Sequence, residues 1–401
     1  MSGDRWPPTA TEAGLAGLLS PAGAELLGYL AGQEVTPRTM LALGSRLRTK
    51  YPADLVAAAL TQHELRLAAR DKFSRAMQMF FTRDGLEQAS AEVVARHRAA
   101  RYATAVTGSG PVADLCCGIG GDLIALAAGH PVRAVDRDPV HLKMALANAA
   151  AYGVAGHVQA EQRDVRQARL AGVGAVFIDP ARRSGGRRLR PGAAEPPLGW
   201  CLRLAAQIPR LGIKTAPGLP RDAVPPGWEL EFIAVGRDLR EAVAWSPGLA
   251  RSATRATVLP GGHTLVPQPG PRVPVRPPGD FLLDPSPAVT RAGLVAELAR
   301  TVGGWQLDPQ IAFLGTASAV RTPFARTLQV IDSAPWQQRQ LPARLRQLDI
   351  GAVDIRRRGL AGDVDQLRRQ LKLSGRRRAT LVMTRVADRP WGLVCVDLPA
   401  A

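Results

Sequence analysis

Apolar residues recur at helical spacing along the first hundred positions. One run extends from Leu15 to Leu30 and is broken by Ser20-Pro21; a second starts at Thr36-Pro-Arg-Thr; a third covers Ala53 to Arg70. The pattern then changes. From Val112 onward come short, continuous apolar runs, each closing on or leading into an aspartate: Val112-Ala-Asp-Leu, Pro131 to Asp136, His157 to Gln162 followed by Arg163-Asp164, and Gly174 to Asp179. Strand-length runs separated by room for crossover helices predict βαβ units and a parallel sheet, hence an α/β fold. Leu211-Gly-Ile-Lys-Thr reads as a fifth strand. Trp228 to Val235 and Ala256 to Leu259 read as the last ones, with Arg237 to Trp245 between them. Pro260 to Pro287 is dense in proline and glycine and reads as a boundary crossed by an ordered segment, which runs into a helix through Ala299. The tail predicts a strand over 349–359, a helix over 363–372 with an acidic first turn and a basic last one, and a hairpin of Arg378–Val386 with Trp391–Asp397. The expected divisions are a helical region 1–105, a sheet domain 106–262, a connecting region 263–344 and a small α+β domain 345–401.

Between the first strand and Leu123-Ile-Ala-Leu lie Gly118, Gly120 and Gly121. Residues without Cβ let a ligand lie against the backbone at the carboxyl end of a strand, although such a turn serves equally well as structural punctuation. Asp136 follows Gly118 by eighteen positions, close to where doubly wound folds place a carboxylate for ribose hydroxyls.

These residues carry a resemblance. Asp114-Leu-Cys-Cys-Gly-Ile-Gly-Gly-Asp122 is similar to the first motif of class I S-adenosylmethionine-dependent methyltransferases, in the form several RNA methyltransferases use. Val135-Asp-Arg-Asp-Pro through Tyr152-Gly153 is similar to their second, and the pairing resembles that of trimethylguanosine synthase, which methylates a guanine amine. The resemblance implies a Rossmann-like sheet and S-adenosyl-L-methionine as cofactor. It places Asp114 and Gly118 by the methionine part, Asp136 by the ribose hydroxyls and Asp164 by the adenine amine, and adds Cys116, Cys117, Gly120 and Arg137 as further cofactor-binding candidates. A dinucleotide oxidoreductase would use the same sheet, but Leu123 stands where the third glycine of its fingerprint belongs. Asp179-Pro180-Ala181-Arg182 occupies the position where amino-group methyltransferases orient the accepting nitrogen, so Asp179, Pro180 and Arg182 are the expected catalytic residues. The same tetrapeptide resembles the fourth motif of RNA uracil-C5 methyltransferases. Their chemistry needs a cysteine nucleophile, and the fifth strand has none. Lys214 on that strand faces the site or serves the fold with equal weight. The last sixty residues resemble the THUMP-like domain found behind some bacterial methyltransferase domains.

A net charge of +18 changes the expected partner, because excess arginine attracts phosphate. The 52 basic residues comprise five lysines and 47 arginines, a bias that a GC-rich genome also produces, but composition bias does not create the excess over acids. Arg182, Arg183, Arg187 and Arg188 follow the fourth strand, and Arg356, Arg357, Arg376 and Arg377 fall in two runs of three at strand ends. All are candidates for substrate phosphate. Arg96, Arg98 and Arg101 read instead as a solvated helix face. Thr82, Glu87 and Gln88, in a polar turn before a helix, are weaker candidates for the pocket wall. Four cysteines and six histidines show no ligand spacing, so no metal is expected. No run has membrane-spanning length and no signal-like segment opens the chain, which makes the cytoplasm the expected location and leaves a membrane out. The sequence thus predicts a methyltransferase of structured RNA, tRNA or rRNA, acting at a base nitrogen such as a guanine amine. A protein or small-molecule methyltransferase, or a noncatalytic RNA-binding protein that keeps the cofactor pocket, stays open. Oligomeric state is not legible.

Overall fold

The computed structural model describes residues 12–34, 36–106, 110–181, 183–184, 187–188 and 194–398. The chain divides into two compact units, one made of residues 1–219, 224–228 and 243–251, the other of 220–223, 229–242 and 252–401.

The first unit opens with α1 (Glu12–Leu19) and α2 (Pro21–Ala31), separated where the Ser20 hydroxyl accepts from Gly23 N at 3.2 Å and Pro21 fits the first turn. α3 (Pro37–Leu47) starts at a reciprocal Thr36/Thr39 cap, and α4 (Ala53–Ala68) follows. Their apolar stripes meet in a cluster that includes Leu18, Leu26, Leu30, Val56 and Ala59. α5 (Arg83–Gln88) and α6 (Glu92–Ala105) lead to the sheet. Strands β1 (Val112–Leu115), β2 (Val132–Asp136), β3 (Val158–Gln162) and β4 (Ala175–Ile178) are connected by α7 (Gly121–Ala127) and α8 (Pro139–Ala151) between the first three. A two-residue ladder, β5 (Arg183–Ser184) with β6 (Arg187–Arg188), then α9 (Leu198–Arg203) and β7 (Leu211–Thr215) complete it. The parallel order is β7-β4-β1-β2-β3, with β1 and β4 buried at every position, as continuous apolar runs require.

The expected solvated face of α6 is a correction. Arg98 and Arg101 are 1% and 6% exposed. Arg98 pairs with Asp122 of α7 and lies over the Phe177 ring, while Arg101 donates to Leu249 O at 3.0 Å and lies over Trp245. Long aliphatic stems and flat guanidiniums let these residues pack in the interior once each charge has a partner.

The second unit contains β8 (Glu229–Val235), β9 (Asp238–Trp245, whose last three residues belong to the first unit), β10 (Thr254–Leu259) and β11 (His263–Leu265). β9, a stretch to which the sequence reading assigned no element, is a strand whose first three positions are exposed or partly so and whose last five are buried. β12 (Phe281–Pro285), α10 (Pro287–Ala292), α11 (Val295–Val302), β13 (Trp305–Asp308), β14 (Ile311–Thr316), β15 (Ala325–Pro335), α12 (Leu341–Gln347), β16 (Ile350–Arg357), α13 (Val364–Gln370), β17 (Arg377–Val386) and β18 (Arg389–Asp397) follow. Their seven-stranded order is β13-β14-β12-β15-β18-β17-β16, antiparallel except for the β16–β17 pair around α13. This sheet therefore begins at Phe281, ahead of the expected division at 345. Asp284 and Pro285 within β12, and the polar alternation of β15, disguise the earlier strands.

Candidate active site

The carboxyl ends of β1, β2 and β4 open onto one cavity of about 440 Å³. Asp114, Cys116, Cys117, Gly118, Asp136, Arg137, Asp164, Asp179 and Pro180 all line it, so nine residues singled out from sequence converge. Gly120 does not line it. It stands behind the loop at φ 90°, with Ala145 Cα 3.2 Å from where a Cβ would sit, and it lets α7 start against α8. Gly118, at φ 54°, has open space where its Cβ would point. Arg182 lies outside the described residues, and of Arg183, Arg187 and Arg188 only the backbone ladder is described. Arg356, Arg357, Arg376 and Arg377 belong to the second unit.

Asp114 is the unusual group. It is 1% exposed, and neither carboxylate oxygen has a hydrogen-bond partner among the described residues. Burial pushes its carboxyl well above the ordinary carboxylate range, with Asp122, Asp179 and Asp136 pushing the same way and Arg98 opposing. A buried acid without a donor is a standing cost that a cationic ligand would relieve. Asp136 is anchored differently: Gly118 N donates to Oδ2 at 2.8 Å and Asp138 N to Oδ1 at 2.9 Å, fixing the acid against the glycine turn. Asp164 caps a short turn through Arg166 N at 2.8 Å and remains part exposed. The Cys116 and Cys117 thiols are pushed well above their usual range by burial, foremost, and by neighbouring aspartates, which suits wall residues and not nucleophiles.

On the opposite side, Lys214 of β7 reaches Asp179 Oδ2 at 2.7 Å, Ser90 Oγ at 3.0 Å and Gln88 O at 3.3 Å, so all three ammonium protons have acceptors. Ser90 in turn donates to Asp122 Oδ2 at 2.8 Å, and Asp122 pairs with Arg98. The chain of charges Arg98–Asp122–Ser90–Lys214–Asp179 fixes the Asp179 carboxylate from behind, while Oδ1 accepts nothing from the described residues. Lys214 does not itself line the cavity; it is buried behind Asp179, which does. Thr82 and Gln88 also line the cavity, and the Thr82 hydroxyl lies 3.3 Å from His141 Nε2. Ser90 and Asp122 had no sequence signal beyond their nearness to the turn.

A family model described as RNA cap guanine-N2 methyltransferase matches residues 110–186, one described as THUMP domain-like matches 325–396, and a domain of unknown function matches 11–69. Two Mycobacterium tuberculosis proteins, from strains CDC 1551 / Oshkosh and ATCC 25618 / H37Rv, are each named an uncharacterized S-adenosylmethionine-dependent methyltransferase. Each is 41% identical over 319 residues, which cover 77% of this chain and 85% of theirs. The chain belongs to the S-adenosylmethionine-dependent methyltransferases. The crystal structure of a Porphyromonas gingivalis W83 protein assigned as a methyltransferase covers 92% of this methyltransferase and all of its own chain, at a TM-score of 0.70 and 19% identity, and shows the same fold. The methyltransferase carries a THUMP-like domain at its C-terminal end. Among its described residues no group of three or more potential metal ligands comes together, and no helix is long and apolar enough to cross a membrane.

Proposed function

We propose that this methyltransferase modifies RNA, tRNA or rRNA, at a base nitrogen such as a guanine amine. The observation that carries the chemistry is Asp179, whose carboxylate is held by Lys214 on one oxygen and borders the cavity shared with Asp114 and Gly118. S-adenosylmethionine supplies a methyl group on a sulfonium already activated for displacement. The cavity fits it: Asp114, buried with both oxygens unpaired, would meet the methionine ammonium, Gly118 would leave room along the backbone, and Asp136 and Asp164 would accept from the ribose hydroxyls and the adenine amine. Cys116, Cys117 and Arg137 complete the wall.

Asp179 and the carbonyl of Pro180 accept hydrogen bonds from an amine and turn its lone pair toward the donor. Catalysis is then chiefly alignment, worth several kcal/mol where the geometry is fixed in advance, and the surplus proton leaves afterwards. The reading on nitrogen is favoured over attack on a pyrimidine carbon because Cys201 is buried away from the cavity lining, and the Cys116 and Cys117 thiols that do line it sit in the loop after β1 and are pushed up by burial.

RNA as acceptor is supported by the RNA cap guanine-N2 methyltransferase model, by the THUMP-like domain and by the +18 charge. Arg182, Arg183, Arg187 and Arg188, next to Asp179 in the chain, are the proposed grip on nearby phosphates. The test is transfer of isotopically labelled methyl from S-adenosylmethionine to RNA taken from cells that lack the protein. Label released by ribonuclease supports the reading; label confined to protein or small molecules overturns it.

A further inference from the structure

The arginines of the second unit differ in how they are committed. Arg376 pairs with Asp349 at 3.3 Å, Arg378 grips Asp354 through three bonds of 3.2, 3.0 and 2.9 Å, and Arg357 donates to Gly362 O at 2.7 Å. Arg358 donates to Ala312 O at 2.6 Å, reaches Asp284 Oδ1 at 3.0 Å and covers the Phe313 ring; Arg326 donates to Asp397 at 2.7 Å. Arg358 and Arg326 tie parts of the sheet together from partly buried positions, whereas Arg376 and Arg378 form exposed surface pairs, each with an aspartate of its own.

Arg237, in the turn between β8 and β9, and Arg356, near the end of β16, are different. Neither makes a hydrogen bond to a described residue. Both approach the same oxygen, Asp284 Oδ2, at 3.6 and 3.9 Å, with side chains 52% and 50% exposed. Asp284 itself is 7% exposed and faces three guanidiniums, so one carboxylate is set against three positive charges. The crowding registers on Arg237, whose basicity is lowered by burial first, then by Arg326, with Arg356 adding to it and Asp284 and Asp397 opposing. Like charges gathered around one acid, with planar forks uncommitted and half exposed, make a site for an oxyanion that takes two guanidiniums at once. A groove of about 470 Å³ runs along Ala325, Thr327 and Asp397, the last being the partner of Arg326.

We propose that Arg237 and Arg356 together bind one backbone phosphodiester of the RNA, an assignment that rests on RNA as the acceptor. Arg376 and Arg378, which the sequence runs made equally eligible or nearly so, each have an aspartate of their own, where Arg237 and Arg356 share one with Arg358, and they do not join it.

The experiment measures binding of labelled total bacterial tRNA and rRNA to the full chain across a salt series, for wild type and for Arg237→Gln, Arg356→Gln, the double variant, Arg376→Gln and Arg378→Gln. Thermal midpoint and S-adenosylhomocysteine binding serve as checks on folding. Each of the first two substitutions should weaken RNA binding about tenfold, as loss of a charged hydrogen bond does. The double variant should reduce the slope of log affinity against log salt by about 0.7 to 0.9, as for one phosphate, not two. Arg376→Gln and Arg378→Gln should stay within about twofold. Unchanged affinity in the double variant, equal losses in Arg376→Gln, or a loss seen only with inorganic phosphate as the probe would overturn the assignment. Failure of wild type to bind either RNA would instead remove the reading on which it rests.

Discussion

Replacing Asp114 with asparagine should make the apo protein more stable near neutral pH and weaken its affinity for the cofactor roughly ten- to a hundredfold. The side chain is 1% exposed, both oxygens lack partners, and its carboxyl is raised well above the ordinary range, foremost by burial. Below the ordinary carboxylate value, folded and unfolded chains are both protonated there and nothing is gained or lost. Between that value and the raised folded-state value, the folded chain keeps a proton that the unfolded chain has released. Apo stability therefore falls as pH rises through this window. Asparagine removes the ionisable group, and with it the cost of holding a proton that the unfolded chain has released, about 1.4 kcal/mol for each pH unit above the ordinary carboxylate value within this window, while its amide stays as unpartnered as the acid. The same substitution deletes the charge for the methionine ammonium, a loss of about 1.5–3 kcal/mol, or roughly ten- to a hundredfold in affinity. The assay is thermal unfolding with and without S-adenosylhomocysteine, which carries the same ammonium, together with calorimetry in two buffers of different ionisation enthalpy. Wild type should release protons on binding and bind more tightly as pH rises; the variant should do neither. An asparagine variant that is less stable than wild type, or that keeps its affinity and pH dependence, would refute the reasoning.

Three further outcomes concern Lys214 and Arg98 of the charged network and Tyr102 beside it. Lys214→Met should leave S-adenosylhomocysteine affinity within about threefold but lower kcat by roughly a hundredfold, because a misplaced Asp179 spoils alignment, with Lys214→Arg recovering part of it; equal kcat in wild type and Lys214→Met would exclude a positioning role. Arg98→Met should destabilise the chain by about 3–5 kcal/mol in urea unfolding, since it leaves Asp122 buried without its cation. Tyr102→Phe removes the hydroxyl that donates to Val176 O at 2.8 Å and should lower stability by about 1 kcal/mol without altering kcat.

The sheet strands that carry the site were legible because their physics is local. Val112–Leu115 and Ala175–Ile178 are continuous apolar runs since both faces are covered, and Asp138-Pro139 announces α8, where the Asp138 side chain accepts from Val140 N and His141 N. The acids on those strand ends, and the glycine turn, were readable for the same reason. What escaped notice depends on contacts distant in sequence. Lys214 meets Asp179 across 35 positions and Ser90 across 124, so no window of sequence shows that five polar residues form one chain. Arg98 looked like a surface residue because its periodicity fits either side of a helix, and only Asp122 makes its burial tolerable. β9 and the strands of the 281–335 stretch hide behind prolines and charged positions whose partners, such as Asp284 with Arg358, lie far along the chain. The arginine runs at 356–358 and 376–378 were visible as charge, but which guanidiniums are committed and which are free is a property of the folded sheet.

The most direct test of the central claim is nucleoside mass spectrometry on RNA from cells lacking the protein, after incubation with S-adenosylmethionine bearing a deuterated methyl group and either wild type or Asp179→Ala. The account predicts a labelled nucleoside with the methyl on an exocyclic nitrogen, present with wild type and lost with Asp179→Ala although S-adenosylhomocysteine still binds. A label on a ring carbon, or a label of equal intensity from Asp179→Ala, would contradict it.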